Sequence, residues 1–136
     1  MTSVELIRSA ALTDTVPYAY AAVTRLGRLV FTAGACPLDR DGGVVAPGNV
    51  AAQAQQVMAN LAGALGAAGA GLTDVAKTTV YVASSSRTDL VTAWQVVRDA
   101  FGDYDPPSTL LGVATLGYPG QLVEVEAIAV TGGWNL

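Results

Sequence analysis

The chain has no histidine and a single cysteine among its 136 residues. Without imidazole there is no Ser-His-Asp triad, no Cys-His pair and no imidazole-ligated zinc. Acid–base work therefore falls to carboxylates, tyrosines, lysine, backbone groups or bound water. The lone Cys36 excludes an intramolecular disulfide framework and fits a reducing compartment. Charge is also scarce: seven Lys and Arg stand against eleven Asp and Glu, a net charge of −4. Arg25 and Arg28 are the one close basic pair, too little for a phosphate-tracking stripe, so nucleic acid is not an expected partner. No apolar run approaches the ~20 residues of a membrane span. The first residues carry Glu5 and no apolar stretch of the signal-peptide kind, so the expected location is the cytoplasm, with no membrane partner.

What the chain has instead is apolar surface. Half of its residues are hydrophobic (51%) and only 13% are charged. A single domain over residues 1–136 can build a real core, but much of its surface is then left uncharged. Monomers rarely tolerate large exposed apolar patches, so part of the excess is expected in a subunit interface of a homo-oligomer.

The pattern of apolar residues alternates between strand and helix periods. Residues 4–8 read as a short strand, and residues 18–26 and 28–33 as a hairpin about Gly27. Asp39 to Gly43 is a turn cluster, and Asn49 is a candidate N-cap. Over residues 50–68, Val50, Ala54, Val57, Met58, Leu61, Leu65 and Ala68 recur at helical spacing, with Gln53, Gln56 and Asn60 on the other side. Residues 78–83 (TTVYVA) are β-branched and aromatic, a strand. A second helix follows, with Leu90, Ala93, Trp94, Val97 and Phe101 on one face, stopped by Pro106-Pro107. Two further strands flank a turn over residues 117–120 and read as a second hairpin. The economical solution is an α+β fold, a mixed sheet with two helices on one face and partner subunits covering the other.

The last strand carries two carboxylates, Glu124 and Glu126, in otherwise apolar surroundings. Residues two apart on a strand share a face, and a carboxylate leaving water costs several kcal/mol unless it is paired or used.

These pieces, in this order, resemble the Rid family of reactive enamine/imine intermediate deaminases. LVFTAGACP (29–37) is similar to that family's strand ending in a Ser/Ala-Gly-x-x-Pro turn. VAAQAQQ (50–56) is similar to the start of its first helix, DVAKTTV (74–80) to the run into its middle strand, and EVEAIA (124–129) to its terminal strand. The resemblance implies a chorismate-mutase-like homotrimer with the sheets forming an inner barrel. It also implies small-metabolite clefts between subunits and hydrolysis of 2-imino acids and their enamine tautomers, with no metal or organic cofactor.

The resemblance assigns candidate residues one by one. Glu124 matches an acid that positions the attacking water; the alternative is an ion pair with Arg25, Arg28 or a neighbour's arginine. Tyr18 matches a cleft tyrosine, or is core or interface. Gly34, Ala35 and Cys36 bring backbone to the ligand, or form a simple turn. Cys36 has no basic neighbour to make it a nucleophile and reads as a small hydrophobe. Where active members carry a carboxylate-clamping arginine, this chain has Ser108. Ser108 and Thr109 are either replacement ligands or plain strand residues. Glu126 reads as structural or solvated, Trp94 as core, and Tyr118 and Trp134 as lining a cleft mouth or interface. Two functions follow: a cofactor-free hydrolase of an imine, an enamine or a related C–N bond, or a binding or scaffold trimer that has lost the chemistry. Ribonuclease activity, also attached to this family, is disfavoured by the acidic balance and the missing histidine.

Overall fold

A computed structural model describes residues 3–25 and 27–132 of the chain. Residue 26, at the end of the second expected strand, and Trp134 lie outside the described residues. The elements in order are β1 (Val4–Ile7), β2 (Ala21–Thr24), β3 (Gly27–Phe31), α1 (Val50–Ala67), β4 (Val75–Val82), α2 (Arg87–Phe101), β5 (Ser108–Gly112) and β6 (Val123–Gly132). Strands β3, β6, β4 and β5 form one mixed sheet in that spatial order, and β1 and β2 form a separate antiparallel ribbon. The fold is α+β, with both helices on one face of the mixed sheet, as the sequence predicts.

Alternation along the strands builds the core. On β6, Val123, Val125, Ala127 and Ala129 are buried, and on β4 so are Thr78, Val80 and Val82. These side chains meet Ala54, Val57, Leu61 and Leu65 from α1 and Ala93, Val97 and Phe101 from α2. Full burial of each Leu or Val contributes roughly 1.5–3 kcal/mol, so this layer supplies most of the cohesion. Asn49 caps α1 as expected, accepting from the Ala52 amide at 2.9 Å.

Both expected hairpins are absent. β2 pairs with β1 (Glu5 opposite Val23), and β3 pairs with β6 (Leu29 opposite Val130). β5 lies parallel to β4, with α2 as the crossover, while β6 runs antiparallel on the other side of β4. Residues 113–122 therefore pass across the end of β4 rather than turning back on β5. Apolar periodicity marks a segment as a strand but does not name its partner. Here β6 is long enough to serve two neighbours at once.

A second correction concerns α1. Gln53 is fully buried, and Asn60 is half-buried. Gln53 donates to the Gly120 carbonyl at 3.0 Å and accepts from the Leu122 amide at 2.8 Å. Asn60 donates to the carbonyls of Cys36 (2.8 Å) and Leu38 (2.9 Å). Helical spacing assigns such residues to the wet side, but these two amides satisfy loop backbone that would otherwise be buried unpaired.

The sheet face away from the helices is uncovered in the single chain. It exposes Leu29 (59%), Phe31 (68%), Leu111 and Ile128. Glu124, Glu126, Lys77, Thr79 and Tyr81 share this side, set by the same alternation.

Candidate functional site

Glu124 stands on β6 directly opposite Tyr81 of β4. The chain after β3 runs back along β6: Thr32 donates to Ala127 O at 3.0 Å, and Ala35 N to Val125 O at 2.7 Å. This ladder lays Gly34 against the Glu124 side chain. A Cβ at position 34 would fall 2.0 Å from Glu124 Oε2, so only glycine fits without moving the carboxylate.

Two groups address the other oxygen. Gln121 Nε2 donates to Glu124 Oε1 at 3.0 Å, and Cys36 Sγ lies 3.4 Å from the same atom. Oε2 has no hydrogen-bond partner among the described residues. The Cys36 thiol also lies 3.5 Å from Gly34 O. Burial pushes its pKa up, and the hydrogen bond and negative charge of Glu124 push it the same way; the nearby Gln121 amide acts in the opposite sense. Cys36 is thus held as a thiol, which rules against a thiolate nucleophile. It is half-buried against a carboxylate, neither nucleophile nor simple hydrophobe. Among the described residues the ion pair is Arg8–Asp105 at 3.3 Å, so neither Arg25 nor Arg28 neutralises Glu124.

Glu126, two residues on, accepts from Tyr81 Oη at 3.0 Å. Burial, followed by that hydrogen bond and the charge of Glu126, raises the Tyr81 phenol. Beside them lies a hollow of about 190 Å³ lined by Phe31, Lys77, Thr79, Glu126 and Ile128.

Gly34, Ala35, Cys36 and Glu124 are therefore brought together. Ser108, Thr109 and Tyr18 are not with them. Ser108 faces the helices, its hydroxyl shared with Thr78 Oγ1 at 2.6 Å and donating to Pro106 O at 3.0 Å. Thr109, the next residue on the strand, turns to the bare face and accepts from Lys77 Nζ at 2.7 Å. Tyr18 packs edge-on against Trp94, with ring centroids 6.5 Å apart. Trp94, Arg98 and Ser108 line one shallow depression at the β5 edge.

Sequence reasoning missed Gln121. It is 3% exposed, donates also to Val123 O at 3.1 Å, and accepts from the Tyr118 amide at 3.1 Å. The signal was available: a glutamine three residues before an acid, at the mouth of a strand otherwise apolar on that side. Among the described residues no group of three Cys, Asp or Glu side chains converges as a metal site would require, and no helix is long and apolar enough to cross a membrane.

Two helices on one side of a β3-β6-β4-β5 sheet, with acids on the other, define an α+β protein whose polar site lies on the helix-free face. Comparison with known proteins gives the family. The family model described as endoribonuclease L-PSP matches residues 9–131. A 2-iminobutanoate/2-iminopropanoate deaminase of Rattus norvegicus is 34% identical over 130 residues, covering 93% of each chain. A RutC family protein of Pyrococcus abyssi is 33% identical, covering 81% of this chain and 84% of that one. Among solved structures, YyfB of Yersinia pestis, a Rid-family protein of unknown function, superposes with a TM-score of 0.88 at 30% identity, covering 95% and 99% of the two chains. The chain belongs to the Rid family.

Proposed function

We propose that this protein hydrolyses the C=N bond of a small imine, or of its enamine tautomer, in a cofactor-free reaction within a cleft between protomers of a homotrimer in the cytoplasm. The observation that carries the reading is the state of Glu124. One of its oxygens is held by Gln121 and Cys36, while Oε2, set against the Gly34 backbone, has no partner among the described residues. A carboxylate oriented in this way and left without a cation can take a proton from water.

The steps balance with protein groups and water alone. A water held by Glu124 Oε2 adds its oxygen to the imine carbon and gives one proton to the carboxylate, while the C=N electron pair moves to nitrogen. Glu124 returns that proton to nitrogen. The carbinolamine then collapses: Glu124 takes the hydroxyl proton and passes it to the amine nitrogen, the oxygen forms the carbonyl of the keto product, and the C–N electron pair leaves with nitrogen as ammonia. The backbone of Gly34, Ala35 and Cys36 borders the reacting atoms.

Ser108 and Tyr18 lie on the far side of the sheet from Glu124, so within one chain they do not meet it. In this reading they serve the cleft of a neighbour, and the bare row of Leu29, Phe31 and Ile128 is the surface that partners cover. Imine-deaminase names among the relatives support the reaction class. The net charge of −4 and the lack of histidine weigh against RNA cleavage as the activity.

The test is keto-acid formation from 2-imino acids generated in situ by an amino-acid oxidase. Wild-type protein is expected to accelerate hydrolysis above the buffer rate, and Glu124→Gln to remove most of that acceleration. Unchanged turnover in the variant would sink the role of Glu124.

A second reading has one observation in its favour. The Ser108 hydroxyl, which stands where the resemblance places a carboxylate-clamping arginine, is already engaged by Thr78 and Pro106. A chain without that clamp is a candidate for pure ligand binding. No acceleration across small, branched and aromatic imines would select this reading.

A further inference from the structure

We infer that Gln121 is a positioning residue that fixes which oxygen of Glu124 faces the reactant and ties that choice to the backbone of residues 118–122. The inference rests on the proposed role of Glu124 as the group that holds the attacking water.

The Gln121 amide is fully used, and in one orientation only. Its Oε1 accepts from the Tyr118 backbone N–H, which can only donate. Its Nε2 must then supply both remaining bonds, one to Val123 O and one to Glu124 Oε1. A flipped amide would set nitrogen against an N–H and oxygen against a carbonyl and a carboxylate. The side chain is 3% exposed, so water offers no substitute. The segment that carries it is itself braced from α1, where buried Gln53 donates to Gly120 O and accepts from Leu122 N. Gln121 is thus bonded to Glu124, and the backbone on each side of it is bonded to Gln53.

The consequence at the carboxylate is an asymmetry. Oε1 receives a neutral N–H donor at 3.0 Å and faces the Cys36 thiol, while Oε2 is left to accept from a reactant or water. Without Gln121 the carboxylate keeps only the weak thiol contact and is free to rotate about its last bond. The other ionisable groups on this side are Tyr81 from β4, opposite Glu124, and Glu126 from the same strand, with Lys77 beside Glu126 at the neighbouring hollow. Glu126 is already occupied by Tyr81, so neither supplies Oε1 with a second donor.

Two variants separate aim from architecture. Gln121→Met removes the donor and the loop tether together. Gln121→Glu keeps an acceptor for the Tyr118 amide but puts an acceptor in place of the donor to Glu124. Imine hydrolysis in both is expected to lose kcat by about tenfold or more, with KM within about twofold of wild type. The second readout needs no turnover: the pH dependence of Cys36 alkylation by iodoacetamide on the folded protein. Gln121→Met is expected to shift the thiol titration to higher pH, and Glu124→Gln to shift it to lower pH.

Unchanged kcat in the folded Gln121→Glu protein would overturn the inference, whatever Gln121→Met does. If wild type shows no turnover at all, the imine-hydrolase reading fails. The thiol titration then decides the geometry alone: a Gln121→Met shift that disappears in the Glu124→Gln background upholds the aiming of Glu124, and no shift, or one that persists there, overturns it.

Discussion

Gly34 and Glu124 compete for one volume: a Cβ on Gly34 would lie 2.0 Å from Glu124 Oε2 and 2.5 Å from its Cδ. The atoms in the way are the far end of a flexible side chain, so the clash is relieved by moving the carboxylate rather than the backbone. Gly34→Ala is therefore expected to fold with a melting temperature close to wild type. Its carboxylate is displaced by an ångström or more, and imine hydrolysis falls by about a hundredfold. Thermal melts beside steady-state kinetics check the pair; a large loss of stability with activity intact would contradict it.

The middle of the fold has its own pH signature. Tyr104 donates its hydroxyl to Val75 O at the start of β4, and its phenol is pushed up to about 12 by burial and then by the charge of Asp74. An acid whose folded pKa exceeds the unfolded value stabilises the fold fully below the unfolded pKa. That contribution is lost as pH rises through the folded one. Denaturant midpoints should thus fall between about pH 10 and about 12. Tyr104→Phe should flatten most of that slope, the rest belonging to Tyr81 and Cys36, which are raised too. At neutral pH the variant should be less stable by about 1–3 kcal/mol, because the Val75 carbonyl loses its donor.

How much of this was legible in the sequence depends on the kind of information each residue carries. Periodicity located the helices at Val50–Ala67 and Arg87–Phe101 and put Glu124 and Glu126 on one face, because period alone decides which way a side chain points. Pairing was not legible. Nothing local to Gly27 says that Leu29 will meet Val130 rather than β2, or that β5 will run parallel to β4. The buried amides were misread for a related reason: Gln53 and Asn60 look like solvated helix residues until the loops they satisfy are in place. In the same way, Ser108 and Glu124 stand on two strands that read as one hairpin, yet alternation and strand order put them on opposite sides of the sheet.

The bare face gives a prediction about size. Phe31 is 68% exposed and lies opposite Ile128 in the β3–β6 ladder. If copies of the chain cover this row, scattering or sedimentation of wild type gives about 41 kDa, three times the 13.8 kDa chain. Phe31→Glu, which buries nothing in the monomer, should shift the particle toward a single chain and abolish imine hydrolysis with it. A wild-type particle of one chain mass would remove the intersubunit cleft from the proposed function.

Strand β6 serves two independent masters through one alternation. Val123, Val125, Ala127 and Ala129 answer to the helices, and Glu124 and Glu126 to the open side. Point substitutions at positions 124 and 126 therefore leave the core alone, and the open side can change without the fold passing through an unfolded intermediate. Insertions and deletions have no such freedom. One residue added within the strand exchanges the two sets, driving both acids under the helices, so on β6 variation by substitution is tolerated where variation in length is not.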